Sequence, residues 1–178
     1  MPPETGTKLV CLNEAFTTPG VYEVELGTAI RTIVDDLGGG LRDRRRLRAV
    51  QVGGPLGGFL APDELDVPLL DAALTEYGVA LGHASLIAID DRMPAADLLR
   101  HIWSFAAAES CGTCAPCRIG SGRGFALAER IIAGDRSALG EQQPLLDTLS
   151  TASMCAFGRG VPDSIRSLLR VYAEELSP

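Results

Sequence analysis

The grouping of the cysteines constrains this chain more than any other feature. Three fall at three-residue spacing in Glu109-Ser110-Cys111-Gly112-Thr113-Cys114-Ala115-Pro116-Cys117-Arg118. A fourth, Cys155, lies far downstream in Ser153-Met154-Cys155-Ala156-Phe157-Gly158. Three thiolates so spaced can wrap one face of a [4Fe-4S] cube, and the remaining iron corner must be met from elsewhere in the fold. Any fold that serves this chemistry therefore has to bring residue 155 back to residues 111–117. Zinc is the nearest competitor, but four-cysteine zinc sites usually use two separated pairs, and here the grouping is three plus one. Unligated core cysteines are the third reading. A disulfide framework fits poorly, because the chain is large and apolar enough to need no staples and its first residues carry neither the basic nor the apolar part of a secretory leader. The pattern points to electron transfer in a reducing, cytoplasmic compartment. The fifth cysteine, Cys11 in Lys8-Leu9-Val10-Cys11-Leu12, reads as a small buried residue of an apolar run.

The 178 residues can bury one good core or two small ones. Hydrophobic residues make up 46% and charged ones 22%, the balance of an ordinary globular chain, and with only 5% aromatics the core must be aliphatic. No apolar stretch is long enough to insert in a membrane. A net charge of −7 argues against nucleic acid as a partner. One segment opposes that balance: Arg42-Asp43-Arg44-Arg45-Arg46-Leu47-Arg48 holds five arginines in seven residues. It reads as a solvated loop, with a docking patch for an acidic partner as the sharper alternative.

Periodicity predicts an α+β chain in two parts, residues 1–92 and 93–178. In the first, Val21–Glu25, Leu47–Val52 and Ser85–Asp90 read as strands. Thr28 to Leu37 has apolar residues at helical spacing, with Thr28 as N-cap and Gly38-Gly39-Gly40 as terminator. In the second, helices are expected over 97–108, about 119–133, 141–149 and 162–176, the last opened by Pro162-Asp163. Four helices around a cysteine loop would make a small bundle.

Other motifs are weaker. Gly53-Gly54-Pro55-Leu56-Gly57-Gly58 follows a strand but lacks the Lys-Ser/Thr ending of a phosphate loop, so it reads as a tight turn or a close backbone approach. Gly120, Gly122 and Gly124 read as close packing of a helix start against the cluster. His83 and His101 have no metal-type spacing to each other and read as structural or surface residues. Trp103 and Phe105 serve equally as helix core or as a shield for a cluster. Ser110, Gly112, Thr113 and Arg118 are candidate tuners, since hydrogen bonds to sulfur and nearby positive charge adjust a cluster's potential. No nucleophile–base pair or acid–base carboxylate pair is visible, so no catalytic residue is assigned.

The motif Glu109-Ser110-Cys111-Gly112-x-Cys114-x-Pro116-Cys117-Arg118 with Ser153-x-Cys155 resembles the cluster domain of the NADH-oxidising flavoproteins. These include the flavoprotein subunit of respiratory complex I, the diaphorase subunit of NAD-reducing hydrogenases and the beta subunit of soluble NAD-dependent formate dehydrogenases. Pro19-Gly20-Val21-Tyr22-Glu23-Val24, Gly38-Gly39-Gly40 and Val52 to Gly58 are similar to that family's β-grasp, or soluble-ligand-binding, domain. Gly6 to Glu14 and Ile102-Trp103-Ser104-Phe105 look most similar to the formate dehydrogenase subunit. The resemblance implies a β-grasp domain over 1–92 with an N-terminal extension, and a helical cluster domain over 93–178. It implies a 4Fe-4S cluster on Cys111, Cys114, Cys117 and Cys155, relaying electrons between FMN and other iron–sulfur clusters. It also implies partners: a 2Fe-2S thioredoxin-like subunit and a formate- or hydrogen-oxidising subunit. The family's FMN- and NADH-binding domain precedes these two, and nothing here matches it. FMN and NAD are thus expected of a complete enzyme and not of this chain alone, which would be a fragment or a split subunit. The alternatives are a non-redox docking or scaffold module with a structural metal site, or the diaphorase part of an NAD-reducing hydrogenase.

Overall fold

Alternation of buried and exposed side chains places the first strand of the sheet. In β1 (Thr7–Leu12), Val10 and Leu12 point into the core and Leu9 and Cys11 point out. Cys11 is therefore exposed, contrary to the expectation of a buried thiol: in a strand the period of two overrides the apolar character of the run. The structure, a computed structural model, describes residues 5–176. The chain divides into two units, Met1–Arg92 and Met93–Pro178.

In the first unit β2 (Gly20–Glu25) pairs antiparallel with β1, from Thr7↔Glu25 to Leu12↔Gly20. The expected helix over 28–37 is shorter and looser. α1 (Ile30–Thr32) has Ala29 as its N-cap, and Ile33–Leu37 continues as a π-helical turn. Thr28 does not cap it, because Thr28 and Ile30 are bonded to a neighbouring segment: Leu69 N–H donates to the Thr28 carbonyl at 2.8 Å and Ile30 N–H to the Val67 carbonyl at 3.0 Å. The remaining strands are β3 (Leu47–Val52), β4 (Gly58–Leu60) and β5 (Leu86–Asp90), with α2 (Asp71–Thr75) between the last two. The sheet order is β2-β1-β5-β3-β4, with β1 and β5 parallel at Leu12↔Leu86 and the other pairs antiparallel. Val10, Phe16, Ile30, Ile33, Val50, Leu60 and Leu86 meet in one core. β1 and β4 were not anticipated, the first because its alternation was masked by an outward Leu9 and Cys11, the second because it is only three residues long.

The glycine loop is a close backbone approach. A Cβ on Gly53 would lie 2.6 Å from the Ala80 carbonyl, and one on Gly54 only 2.3 Å from His83 Nε2; both residues have positive φ. Buried Gln51 pins the loop from below, its Nε2 donating to the carbonyls of Pro55 at 3.2 Å and Gly57 at 3.3 Å. The arginine run is an exposed 3₁₀ turn, Arg42–Arg44, leading into β3, with Arg45 3.9 Å from Asp91.

The second unit is helical: α3 (Ala95–Glu109), α4 (Ala115–Ile132), α5 (Gln142–Ala152) and α6 (Ala156–Val171). α4 starts earlier than its apolar pattern predicts, at the cysteine loop itself, with Pro116 in its first turn, where a missing N–H costs nothing. α6 also starts early. Pro162 does not open it but lies inside it, where its ring leaves the Gly158 carbonyl without a helical donor. Gly120 and Gly124 of α4 pack against neighbouring helices and not against the cysteines. A Cβ on Gly120 would lie 2.6 Å from Leu149, and one on Gly124 would enter the Trp103 ring at 2.3 Å. Trp103 is fully buried there, its Nε1 donating to Gln142 Oε1 at 3.0 Å, so it is core. Among the described residues no helix is long and apolar enough to cross a membrane.

Removing the pin under the glycine loop gives a direct check of the first unit. Gln51→Leu is similar in size but removes both hydrogen bonds to the loop, so a loss of about 1–3 kcal/mol in urea unfolding is expected. Unchanged stability would show that the loop holds itself.

Candidate metal centre

The four cysteines predicted to act together line one cavity of about 210 Å³, with Glu109, Ser110 and Phe157 completing its wall. Two of them occupy equivalent positions: Cys114 is the N-cap of α4 and Cys155 the N-cap of α6, both extended and neither capping with its own side chain. Each sulfur therefore sits at the positive end of a helix of 16 or more residues, where unpaired N–H groups and the helix dipole favour negative charge. Cys117 stands one turn into α4 and is buried, as is Cys114; Cys111 and Cys155 are exposed.

The loop that carries the first three thiols is shaped by Gly112, which has φ 75°, a left-handed conformation costly for a residue with a Cβ. Its N–H lies 3.4 Å from Ser110 Oγ, and that hydroxyl lies 3.3 Å from Cys117 Sγ. Cys111 Sγ lies 3.4 Å from Thr113 Oγ1. The Thr113 hydroxyl, and after it the Thr113 amide, pulls the Cys111 thiol below its ordinary pKa. Cys114 is also pulled down, first by the Met154 amide and then by the Cys117 amide, which outweigh its burial. These are the conditions that favour thiolate, the form that binds metal. Arg118 is exposed, and its Cδ lies 3.9 Å from where a Gly112 Cβ would be. Phe105 meets Phe157 at a ring separation of 6.5 Å, so it stands behind the cavity wall.

The cavity fits a group larger than one ion. It has room for about seven waters at roughly 30 Å³ each. Among the described residues no three His, Cys, Asp or Glu side chains are placed to grip a single metal ion. The thiols surround a volume instead of a point. Ser153 Oγ is buried with no hydrogen-bond partner, directly before the loop that carries Cys155. Gly158 closes the packing: a Cβ there would lie 2.7 Å from the Ser153 side chain and 3.2 Å from Cys117 Cβ. A wider groove of about 550 Å³ runs between α4 and α5, past Pro116, Ile119 and Leu145. Its charged groups, Arg123 and Glu141, are paired with each other at 3.5 Å, and it holds none of the thiols.

Comparison with known proteins places chemistry on this unit. Residues 97–178 match the family described as the NADH-ubiquinone oxidoreductase-F iron-sulfur binding region. The match supports a 4Fe-4S cluster on this unit. The chain is 32% identical over 96% of its length to the NADP-reducing hydrogenase subunit HndC of Solidesulfovibrio fructosivorans, covering 35% of that protein. It is 31% identical over 97% of its length to a subunit of the NADH-quinone oxidoreductase of Escherichia coli, covering 39% of it. A crystal structure of an NAD+-reducing [NiFe]-hydrogenase in the H2-reduced state superimposes with a TM-score of 0.85 at 31% identity, over 99% of this chain and 29% of that one. The chain thus spans between a third and two fifths of the length of these curated relatives.

Residues that sequence reading passed over belong to the 4Fe-4S region as well. Phe157, Gly158, Ser153 and Arg159 all lie at the α5–α6 turn. Ser153 stands in the motif Ser153-x-Cys155, and the only sequence signal for the other three is proximity to Cys155.

Two neighbouring glycines in α6 separate packing at the 4Fe-4S region from helix propensity. Gly158→Ala should cost about 1–3 kcal/mol through overpacking and lower the iron retained after gel filtration. Gly160→Ala meets nothing within 4 Å and should gain about 0.5–1 kcal/mol. Equal effects in the two variants, read by thermal melts and iron assay, would contradict the packing described.

Proposed function

We propose that this chain is an electron-transfer module of an NAD-linked oxidoreductase, with Cys111, Cys114, Cys117 and Cys155 as the four ligands of its cluster. The observation that carries the reading is the single cavity on which these thiols converge, two of them at helix N-termini. A bound [4Fe-4S] cluster supplies one-electron transfer. The chain's own residues orient the thiols and stabilise the charged form of two of them: Thr113 favours thiolate at Cys111, and the amides of Met154 and Cys117 favour it at Cys114. The Ser110 hydroxyl stands against Cys117, and the Phe105–Phe157 pair narrows access of water to the sulfurs. Arg118 adds a positive charge beside the cysteine loop, and Gly112 allows the turn.

On this reading FMN and NAD belong to the complete enzyme, and the cluster relays electrons between the flavin and further clusters on other subunits in the cytoplasm. A 2Fe-2S subunit and a formate- or hydrogen-oxidising subunit are the proposed partners. The narrower assignment to a formate dehydrogenase rests on the Gly6–Glu14 and Ile102–Phe105 segments, and assembly with a hydrogenase or a quinone-linked enzyme would replace it. For the first unit we propose a β-grasp domain, supported by its mixed sheet of order β2-β1-β5-β3-β4. The boundary near Asp91–Pro94 is supported by the division of the chain after Arg92.

EPR of anaerobically purified, dithionite-reduced protein tests the assignment together with Cys155→Ser. A reducible four-iron signal that is lost or converted to a three-iron one in the variant is expected. Stoichiometric zinc with no reducible cluster would favour a structural metal site in a docking module. An unaltered four-iron signal in the variant would remove Cys155 from the ligand set.

A further inference from the structure

The loop that carries Cys155 is held by one side chain. Arg159, in the first turns of α6, reaches back over the α5–α6 turn. Its Nε donates to the Ser153 carbonyl at 3.0 Å and its Nη2 to the Met154 carbonyl at 3.3 Å. Its own backbone N–H donates to the Cys155 carbonyl at 3.2 Å. One residue thus binds the three consecutive carbonyls of Ser153, Met154 and Cys155, the whole connection between the two helices.

The consequence follows from peptide geometry. In a trans peptide unit the C=O and N–H point in opposite directions. The Ser153 C=O is turned toward the Arg159 guanidinium at 3.0 Å, so the Met154 N–H of the same unit is turned away from it, and the Met154 amide is the largest influence holding the Cys114 thiol below its ordinary range. A cation on the oxygen also polarises the peptide and strengthens its N–H as a donor. Met154 itself is 72% exposed, so its side chain does little to fix the loop. Without the Arg159 side chain, what remains is the helical bond of its backbone N–H to Cys155, the Ser153 N–H bond to Leu149 at 3.2 Å and the packing of buried Ser153 on Gly158.

We propose that Arg159 is a positioning residue that fixes the Ser153–Cys155 loop, so that the Met154 N–H faces Cys114 and the Cys155 thiol faces the cavity. The inference rests on the cluster reading for its redox consequence, but not for its geometry. N–H donors and nearby positive charge stabilise the more negative, reduced state of a cluster, and both are lost with the guanidinium. The midpoint potential of an Arg159 variant must therefore fall.

The test compares wild type, Arg159→Gln and Arg159→Lys as the full chain. Hydrogen–deuterium exchange resolved to Met154 reads the geometry, and EPR-monitored redox titration reads the potential. In Arg159→Gln we expect Met154 exchange to rise about tenfold or more, with the fold retained by circular dichroism. We also expect about a tenfold lower ratio of reduced to oxidised cluster at fixed poise, equivalent to about 59 mV for a one-electron couple. Arg159→Lys keeps the charge without the fork and should recover part of the potential but not the protection. Unchanged Met154 exchange in a folded Arg159→Gln overturns the positioning role, and faster exchange with an unchanged potential overturns the tuning role. If the wild type carries no reducible cluster, the cluster reading fails, and Met154 exchange still decides the role of Arg159.

Discussion

The second unit is organised by a convergence of negative sulfur on positive helix ends. Cys114 and Cys155 each stand at the N-terminus of a long helix, and the cavity they share with Cys111 and Cys117 is where α4 and α6 begin. Four thiols brought together and deprotonated would repel one another. Amide donors, the Thr113 hydroxyl and two helix dipoles offset that repulsion before any metal is considered. The rest of the unit serves this arrangement. Trp103 on Gly124 sets how α3 meets α4, Gly120 admits Leu149 of α5, and Gly158 lets the start of α6 rest on Ser153 and Cys117.

Small residues recur where backbones must approach, and each has a separate reason. Gly124 makes room for an indole, Gly158 for Ser153 and Cys117, and Gly53 and Gly54 for the segment around Ala80 and His83. Gly122 and Gly160 have open space around them and so carry no such role. This separates the glycine-rich stretch after the cysteines from any ligand-binding loop. In the first unit the same economy appears in Gln51, whose amide holds a loop that glycine would otherwise leave free.

The convergence of the four thiols was legible in the sequence because its signal is chemical: residue type and spacing name four sulfurs without reference to fold. The helices around it were legible in number and less so in extent. α4 and α6 both start at cysteines that an apolar-periodicity argument skips, and Pro162 hid six residues of helix because proline is an ordinary helix opener. In the first unit Leu47–Val52 was read correctly, but Cys11 was placed on the wrong face and Thr28 given a cap it does not form. Both errors arose from tertiary pairing: β1 joins the sheet with Val10 inward, and residues 28–30 bond to 67–69. Arg159 carried no sequence signal, since an arginine four residues after a cysteine is ordinary until its three carbonyls are seen.

The central claim is that one cubane occupies the four-thiol cavity. Mössbauer spectroscopy of the chain reconstituted with ⁵⁷Fe and sulfide measures this most directly. The account predicts about four irons per chain, one for each of the four thiolates, in a valence-delocalised environment of bridging sulfide with one thiolate on each iron. Two irons per chain, or iron in a mononuclear thiolate site, would contradict it.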